Sequence, residues 1–201
     1  MKPPEPSGGF FYMKNPALEL LIKCTHDDRR AHFELYSLCF SELLPICKRY
    51  FKNEDEIKSA VNESFLKLIL SLENVVKQYH TLHFYSWMRK ITINHIIDVY
   101  RKNKRYRDQI INIEDDELVL ISDLDQKTNL LESKEVLQEV ELAIGALPLM
   151  SRTVFTLHVI DGFKHEEIGA MLNISANTSK VHVFRARTQL KQMLTELNTS
   201  Q

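Results

Sequence analysis

The segment "NISANTSKVHVFRARTQLKQML" at 173–194 places Asn177, Thr178, Lys180, Val181, Arg185 and Arg187 on or beside one side of a helix-forming stretch. Amides and hydroxyls near a helix N-terminus can hydrogen-bond base edges in a major groove, while cations further along grip phosphates. Ser175 is positioned to cap such a helix. Val183, Ala186, Leu190 and Met193 recur at helical spacing and mark the inward face. Asn177, Lys180, Val181 and Arg185 are left facing away, with His182 and Arg187 counted on the same cationic side. Solvent, an acidic protein, a membrane surface and DNA would each accept such a face. Spacing alone does not choose among them, because most charged helix faces are simply solvated.

The elements that would position this helix precede it. "HEEIGAML" and a turn at 173–175 supply the first helix of a helix-turn-helix, with Ile168, Leu172 and Ile174 packing the turn and Gly169 permitting close approach. Upstream, "ESKEVLQEVELAIGAL" forms one helix, Pro148 breaks it, "MSRTVFTLHVI" forms the next, and Asp161-Gly162 turns the chain. A separate helical block occupies the first half. There "ALELLIKC" leads into 29–51, where Phe33, Leu35, Tyr36, Cys39, Phe40, Leu43 and Leu44 recur every three or four residues around a Pro45 that should bend the helix or leave one turn irregular. A third helix carries Ile57, Ala60, Val61, Phe65, Leu68, Ile69 and Leu72 on one face. Residues 73–83 lose the period and read as a loop; 84–105 regain it, with Trp87, Ile91, Asn94 and Asp98 on one face.

The fold expected is all-α: a loose arm at 1–14, a helical domain at 15–107, an acidic linker at 108–133 and a second helical domain at 134–201. The 201 residues and net charge of −1 allow two small domains. The near-neutral total conceals a segregation, with "VYRKNKRYR" at 99–107 basic and "IEDDELVLISDLD" at 113–125 acidic. No apolar run reaches the ~20 residues of a membrane span, and the N-terminus lacks a secretory signal, so a cytoplasmic location without membrane insertion is expected. Cys24, Cys39 and Cys47 are odd in number and sit in helical segments, which argues against a disulfide framework; Cys24 and His26 lack a second zinc-like pair. No metal, cofactor or catalytic group is expected. An enzyme would need His158 or His165 beside an acid, a commonplace pairing on helices.

The two blocks taken together resemble the extracytoplasmic-function (ECF) group of bacterial RNA polymerase sigma factors of the sigma-70 family. In the first block the resemblance is carried by "FELYSLCFSELLPICKRYFKNEDE", "VNESFLKLILSL" and "FYSWMRKITINHIIDVYRKNKR"; in the second by "LPLMSRTVFTLHVIDGFKHEEIGAMLNIS" followed by "KVHVFRARTQLKQML". It implies a transcription initiation factor that binds polymerase core through the large-subunit clamp helices and flap, recognises minus-35 and minus-10 promoter elements, stabilises melted DNA, and can answer to an anti-sigma factor. Asn62, Glu63, Leu66 and Lys67 fall where the family docks on core. Tyr79, His80 and His83 lie where it captures a flipped base, and Tyr85, Arg89, Lys90, Asn94, Asp98, Arg101, Lys102, Lys104 and Arg105 where it holds the minus-10 element, with Trp87 matching an inward position and Tyr100 able to stack on a base. Asn177, Thr178, Lys180 and Val181 become base-edge neighbours at minus-35; Arg152, Arg185 and Arg187 become phosphate contacts.

Three departures qualify this. The family commonly has "DAEDLVQE" where this chain has "EIKSAVNE" at 56–63, so Lys58 and Ser59 replace acidic positions. Lys164 stands where Ser or Thr often caps a helix, and Asn177 replaces a frequent Gly. An alternative therefore stands beside initiation: a sigma-like interaction protein that binds polymerase or a regulator without opening promoters. A regulator using only the last domain would leave the basic helix at 84–105 without a purpose.

Overall fold

The computed structural model describes residues 15–103 and 134–199, with 134–139 and 196–199 as backbone only. Every regular element among them is helical. The chain forms two compact units that divide at Val99–Tyr100. The expected arm, the linker, Lys104 and Arg105 lie outside the described residues.

The first unit runs through α1 (Leu18–Thr25), α2 (Arg29–Tyr50), α3 (Glu54–Leu70), α4 (Leu72–Lys77) and α5 (Phe84–Lys102). Short polar residues start α2 and α3. The Asp28 carboxylate accepts from the Arg30 and Ala31 amides at 2.8 and 3.2 Å, and these donors hold its pKa below the usual carboxylate value. Asn53 accepts from the Asp55 and Glu56 amides at 2.8 and 3.3 Å, and Glu54, Asp55 and Glu56 meet the positive end of the α3 dipole. Replacing Asn53 with Ala is expected to lower stability by about 1 kcal/mol in a urea melt, the usual effect of losing such a cap.

Leu21, Leu35, Leu43, Leu68, Leu72, Met88, Ile93 and Ile96 form the buried interior of this unit. The periodic reading of α2 needs division: Leu35, Cys39 and Leu43 are buried, whereas Phe33 is 74% exposed and Phe40 is also exposed. Two expectations are corrected. Residues 73–83 are not all loop, since α4 forms where Leu72 and Val75 are buried; its contacts run to α1 and α3, so tertiary burial supplies what a six-residue helix lacks in propensity. On α5 the inward stripe is Phe84, Met88, Ile93, Ile96 and Tyr100. Trp87, Ile91, Asn94 and Asp98 do share a face, but it is the half-exposed one.

The second unit contains α6 (Lys134–Ala146), α7 (Leu149–Phe155) extended by a π turn (Thr156–Ile160), α8 (His165–Leu172) and α9 (Ala176–Thr199). Pro148 separates α6 from α7, and Gly162 takes φ +77°, a left-handed setting that disfavours a side chain. The long α9 packs against α6, α7 and α8. Ala143, Leu147, Phe155, Ala186 and Leu190 make one buried cluster, with Ile144, Met193 and Leu194 against it.

Candidate nucleic-acid interface

α8 and α9 meet through a turn of three residues. Asn173 ends α8 in the left-handed region, φ 57° and ψ 48°, a setting Asn tolerates better than most residues. The Ile174 amide then donates back to the Gly169 carbonyl at 3.1 Å. A Cβ on Gly169 would stand 2.8 Å from the Ile174 carbonyl oxygen, so the turn closes onto a surface that only glycine provides. Ser175 caps α9 by accepting from the Thr178 amide at 2.9 Å, and its hydroxyl also bonds the Thr178 hydroxyl at 2.7 Å. The first turn of α9 is thus held before any partner arrives. It presents Asn177 and Lys180 exposed, with Thr178, Val181, Arg185 and Arg187 half-buried around them.

Two side chains expected on that surface lie elsewhere. Arg152 is only 5% exposed, and its Nη1 donates to the Gly145 carbonyl at 3.4 Å; the guanidinium closes the end of α6 rather than facing phosphate. His182 is 2% exposed. Its Nδ1 shares a 3.2 Å hydrogen bond with Ser151 Oγ on α7, and Nε2 is buried with no hydrogen-bond partner. Burial, reinforced by Arg185, pushes the His182 pKa down to about 4. Lys164 keeps its place ahead of α8 through its backbone: its amide donates to Glu167 Oε2 at 2.8 Å, while no side chain at position 164 caps the first amides of the helix.

In the first unit, the segment between α4 and α5 is tied at both ends. Asn15 donates to the Leu82 carbonyl at 3.0 Å and accepts from the Phe84 amide at 3.1 Å. The Tyr79 hydroxyl donates to the Pro16 carbonyl at 2.9 Å. Tyr79 therefore anchors the loop, while His80 and His83 stand exposed on it. Asn15 was not legible as a site-shaping residue, since its partners lie 67 and 69 positions away. Tyr85 is half-buried, as Trp87 is, and burial, with Cys39 and Glu42 nearby, raises its pKa. Tyr100 is 1% exposed and is removed from the stacking candidates. Lys90, Asn94, Arg101 and Lys102 are exposed and Arg89 half-buried along α5.

The polar face of α3 is braced by its neighbours. Tyr36 donates its hydroxyl to Asn62 Oδ1 at 3.0 Å. Ser59 donates to Glu63 Oε1 at 3.0 Å, and Glu63 Oε2 lies 3.5 Å from Nε2 of the buried His95. Lys67 pairs with Asp98 at 3.3 Å, joining a residue expected to touch polymerase to one expected to touch DNA. Leu66 is 56% exposed beside them. The substituted Lys58 faces Glu54 at 3.6 Å. Cys24, Cys39 and Cys47 are free and buried, and burial pushes their thiols up to about 11, 12 and 12, which leaves them weak nucleophiles and weak metal ligands. No group of three metal-binding side chains occurs among the described residues.

A solved structure of CnrH in complex with the cytosolic domain of CnrY aligns with 89% of this chain and 97% of that one, at 20% identity and a TM-score of 0.44. The family model described as "Sigma-70, region 4" matches residues 137–190. The RNA polymerase sigma factor SigV of Bacillus subtilis is 27% identical over 93% of this chain and 98% of its own length. The ECF RNA polymerase sigma factor SigW of the same organism is 25% identical over 90% of this chain and 100% of its own. Residues 137–190 carry sigma-70 region 4, and the chain as a whole is similar to ECF RNA polymerase sigma factors. These likenesses support a sigma factor acting in transcription initiation. The region-4 match covers most of α6, all of α7 and α8, and α9 as far as Leu190, so it encloses the whole helix-turn-helix. Over the other half of the chain, the likeness is carried by the two full-length relatives. No helix among the described residues is long and apolar enough to cross a membrane.

Proposed function

We propose that the chain is a sigma factor that binds RNA polymerase core and directs it to promoters by reading a minus-35 element with α9 and holding melted minus-10 DNA along α5. The observation that carries the reading is the capped, exposed first turn of α9, with Asn177 and Lys180 outward, Thr178 and Val181 beside them, and Arg185 and Arg187 one to two turns on. A preformed turn of this kind spends little ordering entropy on entering a groove. Asn62, Glu63, Leu66 and Lys67 on α3 are assigned to the clamp helices of the large subunit. His80, His83, Tyr85, Arg89, Lys90, Asn94, Arg101 and Lys102 are assigned to the minus-10 strand, Arg105 continuing the basic run. Asp98 joins them only after parting from Lys67. The unit containing α9 would meet the flap, and an anti-sigma factor would compete for these surfaces. The activity is non-covalent, so the factor is not an enzyme and requires no cofactor; work on polymerase and DNA implies a cytoplasmic factor, and the acidic linker suits a path through a basic polymerase channel.

A second reading, an interaction protein that binds polymerase without opening promoters, draws on α3. Lys58 and Ser59 pair with Glu54 and Glu63 of the same helix and contribute no carboxylate to a basic partner. Run-off transcription with cognate core and a genomic promoter library separates the two. Selective transcripts are expected, reduced about three- to tenfold in Lys180→Ala and in Arg185→Ala. Each lost phosphate contact should also lower the slope of log affinity against log salt by about one. Core binding with no transcript would favour the interaction protein.

A further inference from the structure

One internal hydrogen bond of the helix-turn-helix holds the inner side of the helix that carries the reading residues. His165 opens α8, and Ser179 lies in the first turn of α9 between Thr178 and Lys180. His165 Nδ1 and Ser179 Oγ share a hydrogen bond of 2.9 Å, and Ser179 has no exposed surface. The other side of the His165 ring stacks on His158 of the π turn, with centroids 4.1 Å apart and planes inclined by 26°. His158 Nδ1 lies 2.9 Å from the Phe163 carbonyl; a carbonyl can only accept, so that nitrogen carries the proton. A continuous brace therefore runs from the backbone before α8, through two imidazoles, to the inner side of α9.

The charged and titratable groups around His165 are His158 from the π turn, Glu166 from α8, and Lys180 and Arg187 from α9. Burial acts first, then His158, Lys180 and Arg187, to hold its pKa below the ordinary value, with Glu166 opposing. The ring is therefore neutral at neutral pH and able to share a specific hydrogen bond. Position 179 is a polar anchor of α9 on a neighbouring helix, as His182 on Ser151 is further along, and it lies directly between the reading residues Thr178 and Lys180. Side-chain ends stand about 6 Å from a helix axis, so each ~10° of rotation carries them about 1 Å across a groove. Hydrogen bonding to base edges does not tolerate that displacement.

We propose that His165 is a positioning residue for promoter reading: through Ser179 it fixes the rotation of α9, and so decides which base edges Asn177, Thr178, Lys180 and Val181 reach. This rests on the reading of α9 as the promoter-facing helix. The test uses the full chain with cognate core on a promoter library randomised across the minus-35 element. His165→Ala and Ser179→Ala are each expected to flatten base preference about fivefold, with core binding unchanged. The double variant should be no flatter than the worse single one, because both act through one bond. His165→Asn, whose amide falls where Nδ1 stood, should restore the preference to within about twofold. Wild-type preference in His165→Ala overturns the proposal. So does a uniform loss of transcript that His165→Asn leaves unrescued, since that marks a residue needed only for folding. Lys180→Ala and Arg185→Ala in the same library keep the two levels apart. If they change nothing, the promoter-facing reading of α9 fails; if they reduce transcription while His165→Ala leaves base preference intact, the positioning role alone fails.

Discussion

Gly169→Ala is expected to destabilise the helix-turn-helix by about 2 kcal/mol, although the substitution puts the best helix former into a helix. Propensity alone predicts the reverse, a gain near 1 kcal/mol. The added Cβ, however, meets the Ile174 carbonyl oxygen at 2.8 Å, with the Ala176 nitrogen at 3.5 Å. Both neighbours are backbone and cannot rotate away as a flexible side chain would. Relief requires α8 and the turn to separate, which also stretches the Ile174 to Gly169 hydrogen bond. Overpacking of this kind costs about 1–3 kcal/mol, and backbone opposite backbone belongs at the upper end. Hydrogen exchange on the full-length protein checks this locally: the amides of α8 and early α9 should exchange roughly thirtyfold faster, while those of α2 and α3 keep their rates. Unchanged protection in α8 would mean the turn can yield without loss.

Acid should weaken the second unit through His182. Its folded pKa is about 4, against about 6.5 in an unfolded chain. Between those values the unfolded chain holds a proton that the folded chain lacks, so stability falls as the pH falls through the window. The full contribution is present above about pH 6.5, and on the order of 3 kcal/mol is lost by pH 4. The physical cause is the pocket: Nε2 has no acceptor in reach, so a second N–H would be buried unsatisfied, and Arg185 adds like charge. Urea melts at pH 7 and pH 4.5 on wild type and His182→Asn are the check. Wild type should lose stability across that range, and the Asn variant should lose distinctly less. Equal losses would place the acid-sensitive group elsewhere.

Much of the second unit is visible in the residues themselves. The breaks at Pro148 and Gly162, the Ser175 cap, the need for glycine at 169 and the inward series Val183, Ala186 and Leu190 are local signals. Each acts within one or two helical turns, so the sequence states them directly. The resemblance likewise rested on the order of several such strings, and the region-4 match and the full-length relatives agree with it.

What the tertiary structure decided concerns partners far apart in the chain. Arg152 and His182 have the composition of a DNA-facing surface, yet the end of α6 and Ser151 of α7 draw them inward. Tyr79 turns from a candidate base contact into an anchor because Pro16 lies beneath it, and Lys67 and Asp98 become a pair across 31 residues. On α5 the apolar period fits more than one rotation of the helix, and only the neighbours choose Met88 and Ile96 over Trp87 and Ile91 for the interior. Helical spacing tells which residues share a face; it does not tell which face the rest of the chain will cover. That choice is made by long-range packing, because burial is a property of what arrives on the other side.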